Sequence, residues 1–468
     1  MSGPMALEPG GTERDALSLR LAAAPSPRAR VAETRTPAPR QPRWGADHAA
    51  VDSLAAELAD RIGPAVHPYE VAALLESEGL TAEVIQERYG HPNLFSLATA
   101  LYRRVPRTYP EPAPPADPWR PDHIRCALRG ALFALPGLAY LLTAPLWHAD
   151  RAVSVLVVAG LVSWAWGQAL GHRAFVRMAT GRREAGRTLL KGAPLGAAVA
   201  TAAGTAVAGS GPAALAAGAQ SVYLAAAGVL LVLGGERLLL AALTPMIAGA
   251  AVLAWWEPGA VLRAGLPLLS LLGAVAAAGW ILRSALSRSA TPGAGRPPLL
   301  RSLPYGLFGL AAGALVLLVG REQPYAVIVL TVSMGPAEWL LYRYRGLSVK
   351  ALRATATPTA FQLRSAAILA LCLIAYLLPL LPAALLTDSE PTPLLLLAAA
   401  LWTALLLQAF GVAWPPAGIC LAAAAGAGAL TVLPSPPGID VLSPACGLAA
   451  LCLSGCVLRL LGRPAPHA

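Results

Sequence analysis

The stretch AVSVLVVAGLVSWAWGQALG, residues 152–171, has no charged side chain, and its reading decides the fold. About twenty consecutive apolar residues are what an α-helix needs to cross the hydrocarbon core of a bilayer. Working outward from it, eleven more stretches of the same kind fill the chain from Gly130 to Leu461. The twelve predicted spans are Gly130–Trp147, Ala152–Gly171, Ala193–Gly209, Ser221–Gly235, Leu238–Trp256 and Leu266–Leu282, then Leu303–Gly320, Tyr325–Tyr342, Ser365–Leu386, Pro393–Val412, Ala417–Leu433 and Val441–Leu461. A hydrophobic content of 56%, a mean hydropathy of +0.57 and a charged fraction of 13% agree with this reading. Soluble domains carry roughly 25% charged residues. The run Gly234-Gly235-Glu236-Arg237 reads as a tight turn separating the fourth and fifth spans.

Charge tests the count. The connections from odd to even spans carry Arg151, Arg263 and Arg321. Those from even to odd spans carry Arg173, Arg177, Arg182, Arg183, Arg187, Lys191, Arg237, Arg283, Arg288, Arg296, Arg301, Arg343, Arg345, Lys350, Arg353 and Arg364. The positive-inside rule therefore predicts that both termini face the cytoplasm. Removing one span would scramble the alternation. The net charge of +11 follows from these loops and predicts no nucleic-acid partner. Scarce asparagine (Asn93 alone) with abundant Ala, Leu, Arg and Pro reads as a high-GC bacterial coding sequence, so the predicted location is the bacterial cytoplasmic membrane.

The flanks divide the chain further. Residues 1–47 lack a continuous apolar core and read as a disordered tail, not a signal peptide. Residues 48–105 form a predicted small cytoplasmic helical domain. Val51, Leu54, Leu58 and Ile62 recur at helical spacing, a second helix runs from Pro68 to Ser77, Thr81 opens a third and Asn93 caps a fourth. Residues 106–128, with seven prolines, read as an extended linker. Residues 129–283 and 303–462 then hold six spans each, joined by a linker over 284–302. Cys126, Cys372, Cys420, Cys446, Cys452 and Cys456 lie in or beside apolar spans without a CxxC pair or a histidine cluster. They read as small helix-packing residues, and neither metal nor disulfide is expected. Gly181, Gly186, Arg187 and Thr188 mimic a phosphate-binding loop, but without its lysine or a preceding strand, so no nucleotide or other cofactor is predicted.

The two halves repeat. At an offset of 170, Ser163 falls on Ser333, Gln168 on Glu338, His172 on Tyr342 and Arg173 on Arg343. Leu135-Pro136 and Leu303-Pro304 open the preceding spans. Six spans per half make the repeats parallel, related by an axis along the membrane normal. The predicted fold class is therefore an all-α membrane protein: twelve transmembrane helices in two six-helix bundles, plus the small helical module.

From Gly167-Gln168-Ala169-Leu170-Gly171-His172-Arg173, through Gly181-Arg182-Arg183-Glu184-Ala185-Gly186-Arg187, into Leu189-Leu190, the chain resembles the multidrug/oligosaccharidyl-lipid/polysaccharide (MOP) exporter superfamily. In that superfamily the second span ends in a basic loop with a small-basic-acidic turn. The resemblance covers Gly130 to Leu461. It implies two bundles around a central cavity, rocking between inward-open and outward-open states, and a cargo of amphipathic drugs or lipid-linked sugars. Members that serve exopolysaccharide export, the Pel-type among them, belong to the same circle. The N-terminal module departs from the commonest pattern.

Ionisable groups inside spans are expensive, so each is a candidate. Glu338 either lines a cavity, binding a cation or coupling protons, or pairs with an arginine near the cytoplasmic interface. Its counterpart Gln168 either offers hydrogen bonds to sugar hydroxyls or bonds a neighbouring helix. Arg173 and Arg343 end matching spans and either meet a lipid-linked phosphate or anchor the positive-inside topology. His172 and Tyr342 complete the candidate cavity set. Glu236 and Arg237 are a candidate pair within a turn.

Four functions are weighed. A flippase or exporter of a lipid-linked oligosaccharide or exopolysaccharide accounts for the repeat, the basic loops and the scarcity of membrane carboxylates. A proton- or cation-coupled multidrug antiporter needs several such carboxylates, and Glu338 alone is well placed. A membrane glycosyltransferase or polysaccharide polymerase needs an acid or arginine-rich site on large exterior loops. Here Asp150, Glu257, Glu322, Asp388, Glu390 and Asp440 are dispersed over short ones, so no enzyme is predicted. The fourth function is a scaffold for a polysaccharide synthase, in which residues 48–105 dock the synthase or another cytoplasmic glycosyltransferase and the spans anchor it in lipid.

Overall fold

A computed structural model describes residues 48–108, 120–146, 149–208, 211–289, 298–432 and 441–467. The predicted tail 1–47, the linker residues 109–119 and the interbundle residues 290–297 lie outside the described residues. The chain divides into two compact units, Ala16–Pro118 and the residues from Trp119 onward.

The smaller unit is helical: α1 (His48–Glu57), α2 (Ala59–Ile62), α3 (Pro68–Ser77), α4 (Ala82–Tyr89) and α5 (Leu94–Arg104). Thr81 and Asn93 cap α4 and α5, the latter through Ser96 N to Asn93 Oδ1 at 2.9 Å. Val51, Ile62, Val71, Leu75, Ile85, Leu97 and Leu101 meet in its core. Arg104 joins α5 to Asp52 of α1 at 2.7 Å.

Among its described residues the larger unit is made of helices in twelve successive segments. The first is α6 (His123–Ala134), α7 (Gly137–Thr143) and a short 3-10 turn, together His123–Leu146. Then come α8 (Ala149–Met178), α9 (Arg182–Ala208), α10 (Pro212–Val232), α11 (Glu236–Val252) and α12 (Ala260–Leu286). The second half opens with α13 (Leu303–Glu322). Its next span is α14 (Pro324–Val332) with α15 (Met334–Arg353), bent by 42°. It closes with α16 (Pro358–Leu386), α17 (Pro391–Ala409), α18 (Trp414–Val432) and α19 (Leu442–Leu460). Among the described residues, eight helices are long and apolar enough to cross a membrane, and the bent pair makes a ninth. The remaining helices, α9, α11 and α18, stand where the third, fifth and eleventh spans are predicted.

Each half has its own apolar core. One contains Leu142, Leu189, Leu230, Leu243 and Ile281. The other contains Phe308, Leu315, Leu397, Trp402 and Leu453. Lipid tails are as apolar as leucine, so close packing and interhelical hydrogen bonds must hold the bundles. In the second core Trp402 donates to Ala337 O at 3.2 Å, and Tyr376 meets Ser333 at 3.0 Å.

Several boundaries move. The first membrane helix starts at His123, inside the stretch 106–128 predicted as linker. The prolines end at Pro121, and Asp122 caps the next turn through Arg125 N at 3.0 Å. Arg173 and Arg343 do not end their helices, because α8 runs on to Met178 and α15 to Arg353. The long basic loop after the second span is instead a tight turn at Gly181 (φ 141°) between two helices. Arg, Ala, Glu and Leu are good helix formers and extend a helix past the end of its apolar stretch. Gly234 takes φ 74° and breaks α10 from α11 where the turn is predicted. Cys452 is exposed, unlike the buried Cys126, Cys372, Cys420 and Cys446, and is no packing residue here.

Candidate functional site

The two bundles meet at two reciprocal crossings. The first span of one half packs on the second span of the other (α6 on α14 and α15), and the second packs on the first (α8 on α13).

At the α6–α15 crossing the backbones touch. A Cβ on Gly130 would lie 2.9 Å from Gly335 Cα, and one on Gly335 would lie 2.9 Å from Cys126 O. Only glycine permits that approach. It carries Arg129, next to Gly130, onto Glu338, one turn past Gly335. The guanidinium is 4% exposed and donates through Nη1 to Glu338 Oε1. Through Nε and Nη2 it donates to Glu236 Oε1 of α11 at 3.0 and 2.9 Å. Arg125, one turn earlier on α6 and half-exposed, adds a bond to the same oxygen at 2.9 Å. Two arginines balance two glutamates, so the cluster is neutral. Arg125, Arg129 and Glu236 belong to the first bundle and Glu338 to the second, so the Arg129–Glu338 pair joins them. Trp339 extends the contact by donating to His123 Nδ1 at 2.9 Å, while Arg343 lies 5.5 Å over the Trp339 ring.

At the α8–α13 crossing, Gly306, Gly309 and Gly313 face α8. A Cβ on Gly309 would lie 2.7 Å from Gln168 Cγ, and one on Gly313 would lie 2.6 Å from Leu161 Cδ2. One turn beyond Gln168, the buried His172 stacks on Tyr305 with ring centroids 3.8 Å apart and 15° between planes. His172 Nδ1 also meets Ser302 Oγ at 3.1 Å.

Both closures lie toward the Arg-rich end of the bundles. Just beyond the α6–α15 closure both of its spans are interrupted. The first span turns at Leu135-Pro136, after which α7 packs on α11 and α12 of its own bundle. The eighth bends at Ser333.

Of the residues singled out from sequence, Gln168, His172 and Glu338 lie at these crossings. Gln168 and His172 are buried against α13, and Glu338 is buried against α6. Tyr342 is half-buried one turn past Glu338, and Arg343 is exposed. Arg173 is partly buried, with Nη1 lacking a hydrogen-bond partner. Glu236 pairs with α6, not with Arg237. Arg125, Arg129, Ser302 and Tyr305 are contact positions at these crossings that sequence reasoning missed. Reading 106–128 as a linker hid the i, i+4 relation of Arg125 and Arg129. An arginine beside Gly130, matched by a glutamate near Gly335, was the available signal.

No protein-family model and no curated protein sequence matches the chain. Among solved structures, it is similar to a crystal structure of MATE in the bent conformation, at 13% identity and a TM-score of 0.38, over 74% of this chain and 95% of that one. It is also similar to the outward-facing conformation of a multidrug resistance MATE family transporter of the MOP superfamily, at 14% identity and a TM-score of 0.35, over 75% of this chain and 98% of that one.

Proposed function

We propose that this protein is an alternating-access transporter of the cytoplasmic membrane, flipping or exporting a lipid-linked oligosaccharide or exopolysaccharide. The observation that carries the reading is the ion pair Arg129–Glu338, set on a backbone contact between two bundles whose crossing helices break immediately beyond it. A rocking pair of bundles needs a closure that forms or separates as a unit, and hinges beside it. By the positive-inside rule the Arg-rich end is cytoplasmic, which makes the seam an inner gate and puts the helical module in the cytoplasm. There the module offers a docking platform for a glycosyltransferase.

Two observations support a saccharide over a cationic cargo. The buried glutamates Glu184, Glu236 and Glu338 all pair with arginine, which leaves no unpaired carboxylate among them for a cation. Arg173 has a buried nitrogen suited to a phosphate oxygen. The alternative, a proton- or cation-coupled drug antiporter, is favoured by one fact: separating the seam would free Glu338.

The test is a cross-link. In a cysteine-free background, His172→Cys with Tyr305→Cys, bridged by a short thiol-reactive linker, should arrest flipping of a fluorescent lipid-linked oligosaccharide in proteoliposomes. Cleaving the linker should restore it. Undiminished flipping by fully bridged protein would defeat the alternating-access reading, and transport of cationic drugs in place of glycolipid would favour the antiporter.

A further inference from the structure

Beside the seam, the N-terminal bundle holds a cavity of about 50 Å³ between α8, α9 and α10. Its back wall is α9, where Leu189, Ala193 and Ala197 are buried. Ser163 and Trp166 of α8 and Ser221 and Gly228 of α10 form the sides. No lining residue is ionisable.

Ser163 is 9% exposed and Ser221 fully buried, and neither Oγ has a hydrogen-bond partner. A serine inside a helix ordinarily returns its hydroxyl to a carbonyl one turn back. Ser333, the repeat counterpart of Ser163, does so: it donates to Leu330 O at 2.7 Å and meets Tyr376 Oη at 3.0 Å. The same repeat position is thus satisfied inside one bundle and left facing a cavity in the other. Leaving a buried hydroxyl unpaired is costly. Two on one cavity mark a place built for a partner.

The walls say what kind of partner. Trp166 is fixed, its Nε1 donating to Gly192 O at 2.9 Å, so its ring offers apolar surface and no spare donor. Side chains at Gly192 and Gly196 would collide with Leu170 and Trp166, at 2.3 and 2.2 Å. At Gly167 and Gly228 a Cβ would meet nothing within 4 Å, so packing does not demand glycine there. Their missing side chains keep the mouth of the cavity open.

The geometry points to a binding site for a neutral, hydroxyl-rich ligand: the edge of a sugar ring, bonded to Ser163 and Ser221 and lying against Trp166. With no ionisable wall the cavity selects neither cation nor anion. A purely apolar guest would leave both hydroxyls unpaired. The enclosed volume takes a ring edge or a hydroxymethyl group, with the rest of the molecule outside the Gly167–Gly228 mouth. The inference rests on the saccharide reading above and gives it a point of contact. Water carries the same hydroxyl chemistry, and the test separates the two.

The full-length protein in detergent would be titrated with D-glucose, D-galactose and N-acetylglucosamine at millimolar concentration, with saturation-transfer NMR as the readout. Two variants accompany it. Ser163→Ala with Ser221→Ala removes the hydroxyls, and Gly228→Leu fills the mouth where no atom opposes it. At least one sugar should bind, roughly tenfold more weakly without the hydroxyls, as two hydrogen bonds of about 0.5–1.5 kcal/mol imply. The Gly228→Leu variant should lose binding, and tetraphenylphosphonium, a cation, should not compete. Two results would overturn the site: sugar binding that both variants leave unchanged, or no sugar binding at all with only ordered water on the two hydroxyls. The cross-link at His172 and Tyr305 is independent. If it arrests movement while no sugar titrates, this site fails and alternating access stands. If movement survives it while sugar binding follows the variants, the site stands and alternating access fails.

Discussion

Arg129→Met should loosen the seam more than any other change of charge in it. In the native cluster Arg125 and Arg129 balance Glu236 and Glu338. Removing Arg129 leaves Glu236 with Arg125 and strands Glu338, and an uncompensated buried charge costs about 3–5 kcal/mol. Each 1.4 kcal/mol is tenfold in an equilibrium, so the closed seam should lose roughly two to three and a half orders of magnitude of its preference. Glu338→Gln is milder. Arg129 keeps both bonds to Glu236, and the amide oxygen still accepts from Nη1. An ion pair becomes a bond from the guanidinium to a neutral amide for about 1 kcal/mol, or roughly fivefold. The double variant Arg129→Met with Glu338→Leu restores neutrality and should close better than Arg129→Met alone, because a well-packed apolar pair replaces a buried ion pair at little cost. The reporter is native: Cys126, 4% exposed, lies on α6 against Gly335. With the other five cysteines replaced by alanine, its maleimide labelling rate should rise by the factors above and fall back in the double variant. Unchanged labelling in Arg129→Met, or a double variant more reactive than Arg129→Met, would refute the clamp.

Other expectations follow from the same geometry. Gly130→Leu should block transport while leaving insertion intact, since its side chain would meet the Gly335 backbone; normal flipping by this variant would show that the crossing need not close. His172→Phe keeps the stack on Tyr305 and loses only the Ser302 bond, so its transport rate should stay closer to native than that of His172→Ala, a stacked pair contributing about 0.5–1.5 kcal/mol. In the module, Asn93→Ala removes the α5 cap for about 1 kcal/mol, readable as faster hydrogen exchange over Leu94–Arg104. Burial, with Arg104 and His48 nearby, holds the His91 imidazole below its ordinary value of 6.5. A histidine kept neutral on folding stabilises above its unfolded pKa and loses that contribution as pH falls through it. Exchange protection around His91 should therefore weaken below about pH 6.5, and His91→Asn should remove the dependence.

Span positions, the turn at Gly234-Gly235 and the caps at Thr81 and Asn93 could all be read from the chain. Each is a local property: hydropathy over one helix length, the φ a glycine allows, one side chain reaching a nearby N–H. Helix ends were less legible, because α8 and α15 continue through charged residues that form helix as readily as apolar ones. The partners of the candidate residues were not legible at all. Arg129 and Glu338 stand 209 residues apart, and their meeting depends on where two helices cross, which Gly130 and Gly335 set by backbone contact. Likewise, a serine's place in the pattern does not say whether its hydroxyl is used or open, and only the packing of three helices left Ser163 and Ser221 facing one cavity. Hydropathy acts one helix at a time and so was decided by sequence, whereas a buried charge or hydroxyl takes its meaning from whatever the tertiary structure sets against it.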